Sequence, residues 1–217
     1  MKIFSLPSKI TALIFDMDLT LYSNAEYGKV QIDNLITIAG KARGLSPEQT
    51  KAAIAAARET WAAANGGKKR SLSSIILSWG FTMEDNVRWR ETAYEPEKYL
   101  CRDDQLRKTL LALSPFKLGI VTNNPVSIAK RTLASLGVED LFSAVTGLDT
   151  LMIAKPHRLP FSKIAGSLQA DPETCVSIGD RFEIDLEIPL EMGMGGILVD
   201  GVEDVYALPD LLNREAV

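Results

Sequence analysis

Residues 13–20 read LIFDMDLT: an apolar run ends abruptly in Asp16 and Asp18, one residue apart, with Thr20 two further on. A short apolar run bounded by polar residues is the pattern of a strand buried on both faces. Such a strand carries a pair of carboxylates to its carboxyl end. The rest of the chain has to explain why two are needed there.

Working outward, KITALIF (9–15) contains that strand, and FKLGIVT (116–122), FSAVTG (142–147), TCVSIGD (174–180) and GILVD (196–200) read as further strands. Between them lie amphipathic stretches: Val126 to Leu136, stopping at Gly137, and FSKIAGSLQ (161–169), followed by the Asp171-Pro172 turn. Strand–helix alternation of this kind predicts an α/β fold, a Rossmann-like parallel sheet with helices on both faces. Residues 21–102 show no convincing strand. Ser46-Pro47-Glu48-Gln49 is a capping box with proline at the first helical position, and an alanine-rich helix runs from it to Ala64 before Asn65-Gly66-Gly67. SLSSIILSW closes on Gly80, and Thr82-Met83-Glu84-Asp85 opens another helix. The expected organisation is an α/β core of residues 1–20 and 103–217, interrupted by an all-helical cap domain over 21–102.

The composition narrows the classes of partner. The 217 residues carry a formal net charge of −4 with Lys and Arg dispersed, so no nucleic-acid footprint or anionic membrane surface is expected. No run approaches the roughly 18 apolar residues of a membrane span. Pro7, Lys9 and Asp16 interrupt the N-terminal stretch where a signal peptide would be apolar. Two cysteines, Cys101 and Cys175, do not make a disulfide framework, and a reduced cytoplasmic location is the expectation. Nothing in the residues speaks to the oligomeric state.

In open parallel sheets, ligands bind beyond the carboxyl ends of the strands. Asp16 and Asp18 follow the first core strand, Thr122, Asn123 and Asn124 the second, and Gly179-Asp180 a later one, while Lys155-Pro156 lies in the loop after FSAVTG. Clustered carboxylates repel unless a cation holds them. Oxygen ligands without His or Cys suit Mg²⁺, and a lysine with small polar donors suits phosphoryl oxygens. An ionised aspartate can attack phosphorus, and a second carboxyl group can give the leaving oxygen its proton.

These segments carry a resemblance. DMDLT, VTNN, KP and GDRFEID, each at a strand end and in this order, are similar to the four motifs of the haloacid-dehalogenase-like superfamily of phosphohydrolases. The helical block resembles the cap that one branch inserts after the first strand. The resemblance implies a Mg²⁺-dependent phosphatase acting on a small phosphorylated metabolite, such as a nucleoside monophosphate or sugar phosphate. It implies Asp16 as nucleophile and metal ligand, and Asp18 as general acid and base with its backbone carbonyl on the metal. Thr122 and the backbone around Asn123 would bind phosphoryl oxygens, Lys155 would neutralise charge, and Asp180 would complete the metal site. Asp185 would act from behind Lys155 or a metal-bound water, and Thr20 would brace the first loop. Leu19 departs from the glycine or asparagine more often found there, which bears on the local loop geometry.

The haloacid dehalogenases themselves lack the acid at the position of Asp18. The sugar-phosphate mutases, an alternative within the superfamily, continue differently after the second aspartate than LTLYSN does here. The TLY ending and YEPEKYL (94–100) resemble pyrimidine 5′-nucleotidase-like members. A receiver-like signalling domain would place its aspartate after a later strand and lacks a helical insert. A non-catalytic phospholigand-binding relative would be expected to have lost a motif residue, and none is missing. His157, the only histidine, has no nucleophile elbow to serve and reads as a loop residue. Gly193-Met194-Gly195-Gly196 precedes a strand and reads as a tight turn, not a nucleotide loop. Lys68-Lys69-Arg70 could reach substrate from the cap or form a solvated turn, and Trp61, Trp79 and Trp89 fall on helical patterns expected to pack the cap.

Overall fold

The computed structural model describes residues 1–67 and 71–215 and divides into two compact units, Met1–Ala25 with Glu95–Val217, and Glu26–Tyr94. Lys68, Lys69 and Arg70 lie outside the described residues.

The first unit is built on a six-stranded sheet of β1 (Lys2–Ser5), β2 (Ala12–Phe15), β3 (Lys117–Val121), β4 (Ala144–Thr146), β5 (Cys175–Gly179) and β6 (Gly195–Leu198). Their spatial order is β1-β6-β5-β2-β3-β4. Strands β2 to β6 run parallel, and every residue of β2 and β5 is buried, as their unbroken apolar character requires. The expected α/β fold on a mostly parallel sheet is present, and one further strand joins it at the edge, where β1 pairs antiparallel with β6. Its four residues are all exposed, so KIFS shows neither the continuous burial of a core strand nor a one-sided alternation.

From β2 the chain continues to β3 and β4 on one side, then returns to β5 and β6 on the other. The carboxyl end of β2 is therefore where the strand order reverses, the place where open sheets of this type form a crevice. The helix Arg158–Ser167 covers one face, with Phe161, Ile164 and Ala165 packed among Ala12, Ile14, Val121 and Cys175. His157 caps this helix, its Nδ1 accepting from the Leu159 N–H at 3.1 Å. Gly193, with φ of 83°, supplies the left-handed turn into β6. Cys175 is buried and Cys101 exposed, both as free thiols.

The second unit contains α2 (Pro47–Ala64), α3 (Leu72–Ser78), α4 (Met83–Ala93) and all but the first residue of α1 (Ala25–Ala42). Both capping boxes form: Ser46 with Gln49 on α2, and Thr82 with Asp85 on α4. Ile36, Ile54 and Ile75 make its apolar centre, with Ala57, Leu72 and Trp79 against them. Trp89 packs edge-on to Phe81 with ring centroids 4.9 Å apart, whereas Trp61 is 38% exposed. The Arg90 guanidinium lies inside this unit, donating to Asn86 Oδ1, Tyr94 Oη and Ser73 Oγ.

Candidate active site

β2 ends at Phe15, and the Asp16 N–H still donates to the Ile178 carbonyl at 2.8 Å, which fixes Asp16 beside the end of β5. On the other side Thr122 N–H donates to Thr146 O at 3.0 Å, continuing the β3–β4 ladder. Two strand ends and the loop bearing Lys155 thus meet at the reversal point.

Lys155 is 2% exposed, and its Nζ lies 2.5 Å from Asp16 Oδ1 and 2.6 Å from Asp185 Oδ1. Burial pulls the ammonium's pKa down, but the charges of Asp16 and Asp185 outweigh it and hold Lys155 above its ordinary value. Asp185, 1% exposed, is raised chiefly by its own burial, with Lys155 opposing. Its Oδ2 accepts from the Arg181 backbone N–H at 3.1 Å. Asp180 is also raised, to about 6, by burial first and then by the charge of Asp16.

Ligand oxygens of Asp16, Asp180 and Asp185 lie within 4.8 Å of one another. Among the described residues, Asp16 Oδ2 and Asp180 Oδ1 are buried without a hydrogen-bond partner. Buried carboxylate oxygens left without donors cost free energy unless something positive meets them. An oxygen-only cluster with orphaned lone pairs fits a hard divalent cation such as Mg²⁺.

Asp18 stands beside this cluster, half-buried, its Oδ1 accepting from Tyr22 Oη at 2.5 Å and its Oδ2 from Asn124 Nδ2 at 2.7 Å. Thr122 is 3% exposed, and its Oγ1 accepts from the Asn124 N–H at 3.2 Å, which leaves the hydroxyl proton for donation. The Asn123 side chain turns to the Lys155 backbone, donating to its carbonyl at 3.1 Å and accepting from its N–H at 2.6 Å. It clamps the lysine loop onto the end of β3. Thr20 is fully buried; its N–H reaches Met17 O at 3.3 Å, while its hydroxyl finds no hydrogen-bond partner among the described residues.

All eight residues singled out from the sequence therefore belong to the first unit, in or next to one cluster. As partners of Asp18, Tyr22 and Asn124 are passed over by the sequence reading: Tyr22 falls in the 21–102 block as a residue expected to shift preference among small phosphates, and Asn124 stands past the second core strand without a role of its own. The signal for Tyr22 is its place four residues after Asp18, one turn on along a tightly folded loop. Arg181 was passed over as well: its Nε lies 3.5 Å from Asp180 Oδ1 and 3.9 Å from Asp185 Oδ2, with the side chain half exposed.

A family model described as haloacid dehalogenase-like hydrolase matches residues 10–193, and the chain belongs to that family. The phosphoglycolate phosphatase of Colwellia psychrerythraea is 38% identical over 79 residues, covering 36% of this chain and 35% of that protein. That match spans only about a third of the relative's own length. The phosphoglycolate phosphatase of Pectobacterium atrosepticum is 26% identical over 181 residues, covering 79% of this chain and 72% of the relative. Among solved structures, a beta-phosphoglucomutase from Clostridium difficile superposes with a TM-score of 0.60 at 18% identity, covering 95% of this chain and 97% of that one. At that identity the likeness is one of fold.

Proposed function

We propose that the chain is a Mg²⁺-dependent phosphohydrolase of small phosphorylated metabolites, working through an aspartyl-phosphate on Asp16. The observation that carries this reading is the buried Lys155 held between Asp16 and Asp185, beside carboxylate oxygens of Asp16 and Asp180 that accept no hydrogen bond among the described residues. Relatives named as phosphoglycolate phosphatases support a small organic phosphate as substrate. Nucleoside monophosphates and sugar phosphates belong to the same chemical class.

Asp16, Asp180 and the backbone carbonyl of Asp18 would hold the cation. When bound, Mg²⁺ would neutralise charge on these carboxylates and on the phosphoryl oxygens. Lys155 orients Asp16 through its Oδ1, and its own position is set by Asp185 and by the Asn123 clamp on its backbone. The Asp16 carboxylate attacks phosphorus as the ester P–O bond breaks. Asp18 gives its proton to the leaving oxygen. Thr122 donates to the phosphoryl oxygens from the end of β3. Water then attacks phosphorus, the bond to Asp16 breaks, and the proton of that water passes to Asp18.

Replacing Asp16 with Asn preserves shape and removes the nucleophile. Hydrolysis of a generic aryl phosphate is expected to fall by about three orders of magnitude or more, and the phosphorylated aspartate trapped in the wild type should vanish from Asp16→Asn. Activity within about tenfold of wild type would sink the covalent mechanism.

A further inference from the structure

Resting on the phosphohydrolase reading, we propose that Tyr22 and Asn124 are positioning residues for Asp18, and that their grip on both of its oxygens decides how well esters with poor leaving groups are cleaved. Their placement comes from two separate pieces of chain. Leu19 adopts φ of 59°, and the loop folds back so that Thr20 N–H and Leu21 N–H both donate to Met17 O, at 3.3 and 3.0 Å. This brings Tyr22 over Asp18, where its hydroxyl donates to Oδ1 at 2.5 Å. Asn124 approaches from the end of β3 and donates Nδ2 to Oδ2 at 2.7 Å.

Both donors are themselves held. Tyr22 is 4% exposed and Asn124 2%. The Asn124 N–H is bonded to Thr122 Oγ1, and the Asn124 carbonyl accepts from Leu148 N–H at 2.9 Å. A carboxyl group gripped at each oxygen loses its rotational freedom, which is the condition for directed proton transfer. Each oxygen has two lone-pair sites, so the bonds from Tyr22 and Asn124 do not by themselves exclude the proton that Asp18 carries.

The chemical consequence depends on the ester. As the ester bond breaks, the leaving oxygen takes the proton and Asp18 becomes a carboxylate that accepts from Tyr22 and Asn124, both stronger donors to an anion than to a neutral acid. A nitrophenolate leaves with little protonic help, whereas an alkoxide needs nearly all of it. Tyr22 and Asn124 act through Asp18, so their removal should weigh on alkyl esters.

The test compares an alkyl phosphate with 4-nitrophenyl phosphate in wild type, Tyr22→Phe, Asp18→Asn and the double variant, all with Mg²⁺. Tyr22→Phe keeps the buried ring and removes one hydroxyl, and a melting curve verifies that it is folded. Its kcat on the alkyl ester is expected to fall about tenfold or more, and on the nitrophenyl ester by less than about threefold, with each KM within about twofold of wild type. In the Asp18→Asn background the same change should produce no further loss. Asn124→Ser, which withdraws the other donor, should repeat the leaving-group dependence. An equal fall on both esters, no fall on either, or an added loss in the Asp18→Asn background would overturn the proposal. A wild type that turns over neither ester would overturn the phosphohydrolase reading itself.

Discussion

Leu19 occupies the left-handed backbone region, which residues other than glycine, asparagine and aspartate rarely adopt. Its side chain is 38% exposed, so its packing offers limited compensation for the strain. Asparagine tolerates this region without the extra unfolded-state freedom of glycine. Leu19→Asn is therefore expected to raise stability by about 0.5–1 kcal/mol, read as a higher urea midpoint with an unchanged slope. A lower midpoint would show that the leucine side chain outweighs the backbone strain. The departure at Leu19 could be read from the sequence as a matter of loop geometry. The grip on Asp18 could not. Asp16, Asp18, Thr122 and Asp180 announce themselves as candidates because each is a polar residue just past the end of an apolar strand, whereas Lys155 lies beyond the short helix Leu148–Leu151 and is singled out only through its place in the KP motif. Asn124 is chemically the same as its neighbour Asn123, and only the direction each side chain takes separates a clamp on Lys155 from a donor to Asp18.

Among the elements, β5 and the turn that follows it do most to place the charges. Residues Phe182–Leu186 form a π-helical turn, and it returns Asp185 to the end of the strand it has just left. Ser177 in β5 fastens this return by donating its hydroxyl to the Asp185 carbonyl at 2.8 Å. The fit requires glycine at position 179, where a Cβ would lie 2.5 Å from Asp185 Cβ and 2.7 Å from its Cγ. Gly179→Ala should push Asp185 away from Lys155 and destabilise the protein by about 1–3 kcal/mol, with turnover lost alongside. A denaturation midpoint matching wild type would contradict this account of the turn. The π-helical geometry was hidden in GDRFEID, since five residues without a glycine or proline carry no mark of their hydrogen-bond register. Strand β1 was hidden for a different reason. Its role as an antiparallel edge depends on β6, nearly two hundred residues away, and not on any pattern of its own. The buried strands β2 and β5, by contrast, are legible because burial on both faces demands continuous apolar residues.

For the whole molecule, the carboxylate cluster joins the two ends of the chain: Asp16 follows β2 near the start, and Asp180 and Asp185 follow β5 near the finish. A cation held there binds only when the sheet is assembled, so Mg²⁺ should stabilise the folded chain by mass action. Proton binding at Asp180 opposes it. The folded-state pKa of Asp180, about 6, is raised above its ordinary 3.8 by burial and then by Asp16. Between these values the folded, metal-free chain holds a proton that the unfolded chain has released. The stability from this group is thus fully present below about 4 and is lost as pH rises through about 6. Metal binding at Asp180 would reverse the sense, because a ligand carboxylate must be ionised and the cation would have to displace that proton at lower pH. At one fixed Mg²⁺ concentration, the gain in Tm is therefore expected to be larger at about pH 7.5 than at about pH 5, where affinity should be about tenfold weaker. Thermal unfolding with Mg²⁺ and with a chelator at the two pH values measures both gains. Equal gains would mean that Asp180 does not share its oxygens between proton and metal, and a larger gain at the lower pH would remove it from the metal site.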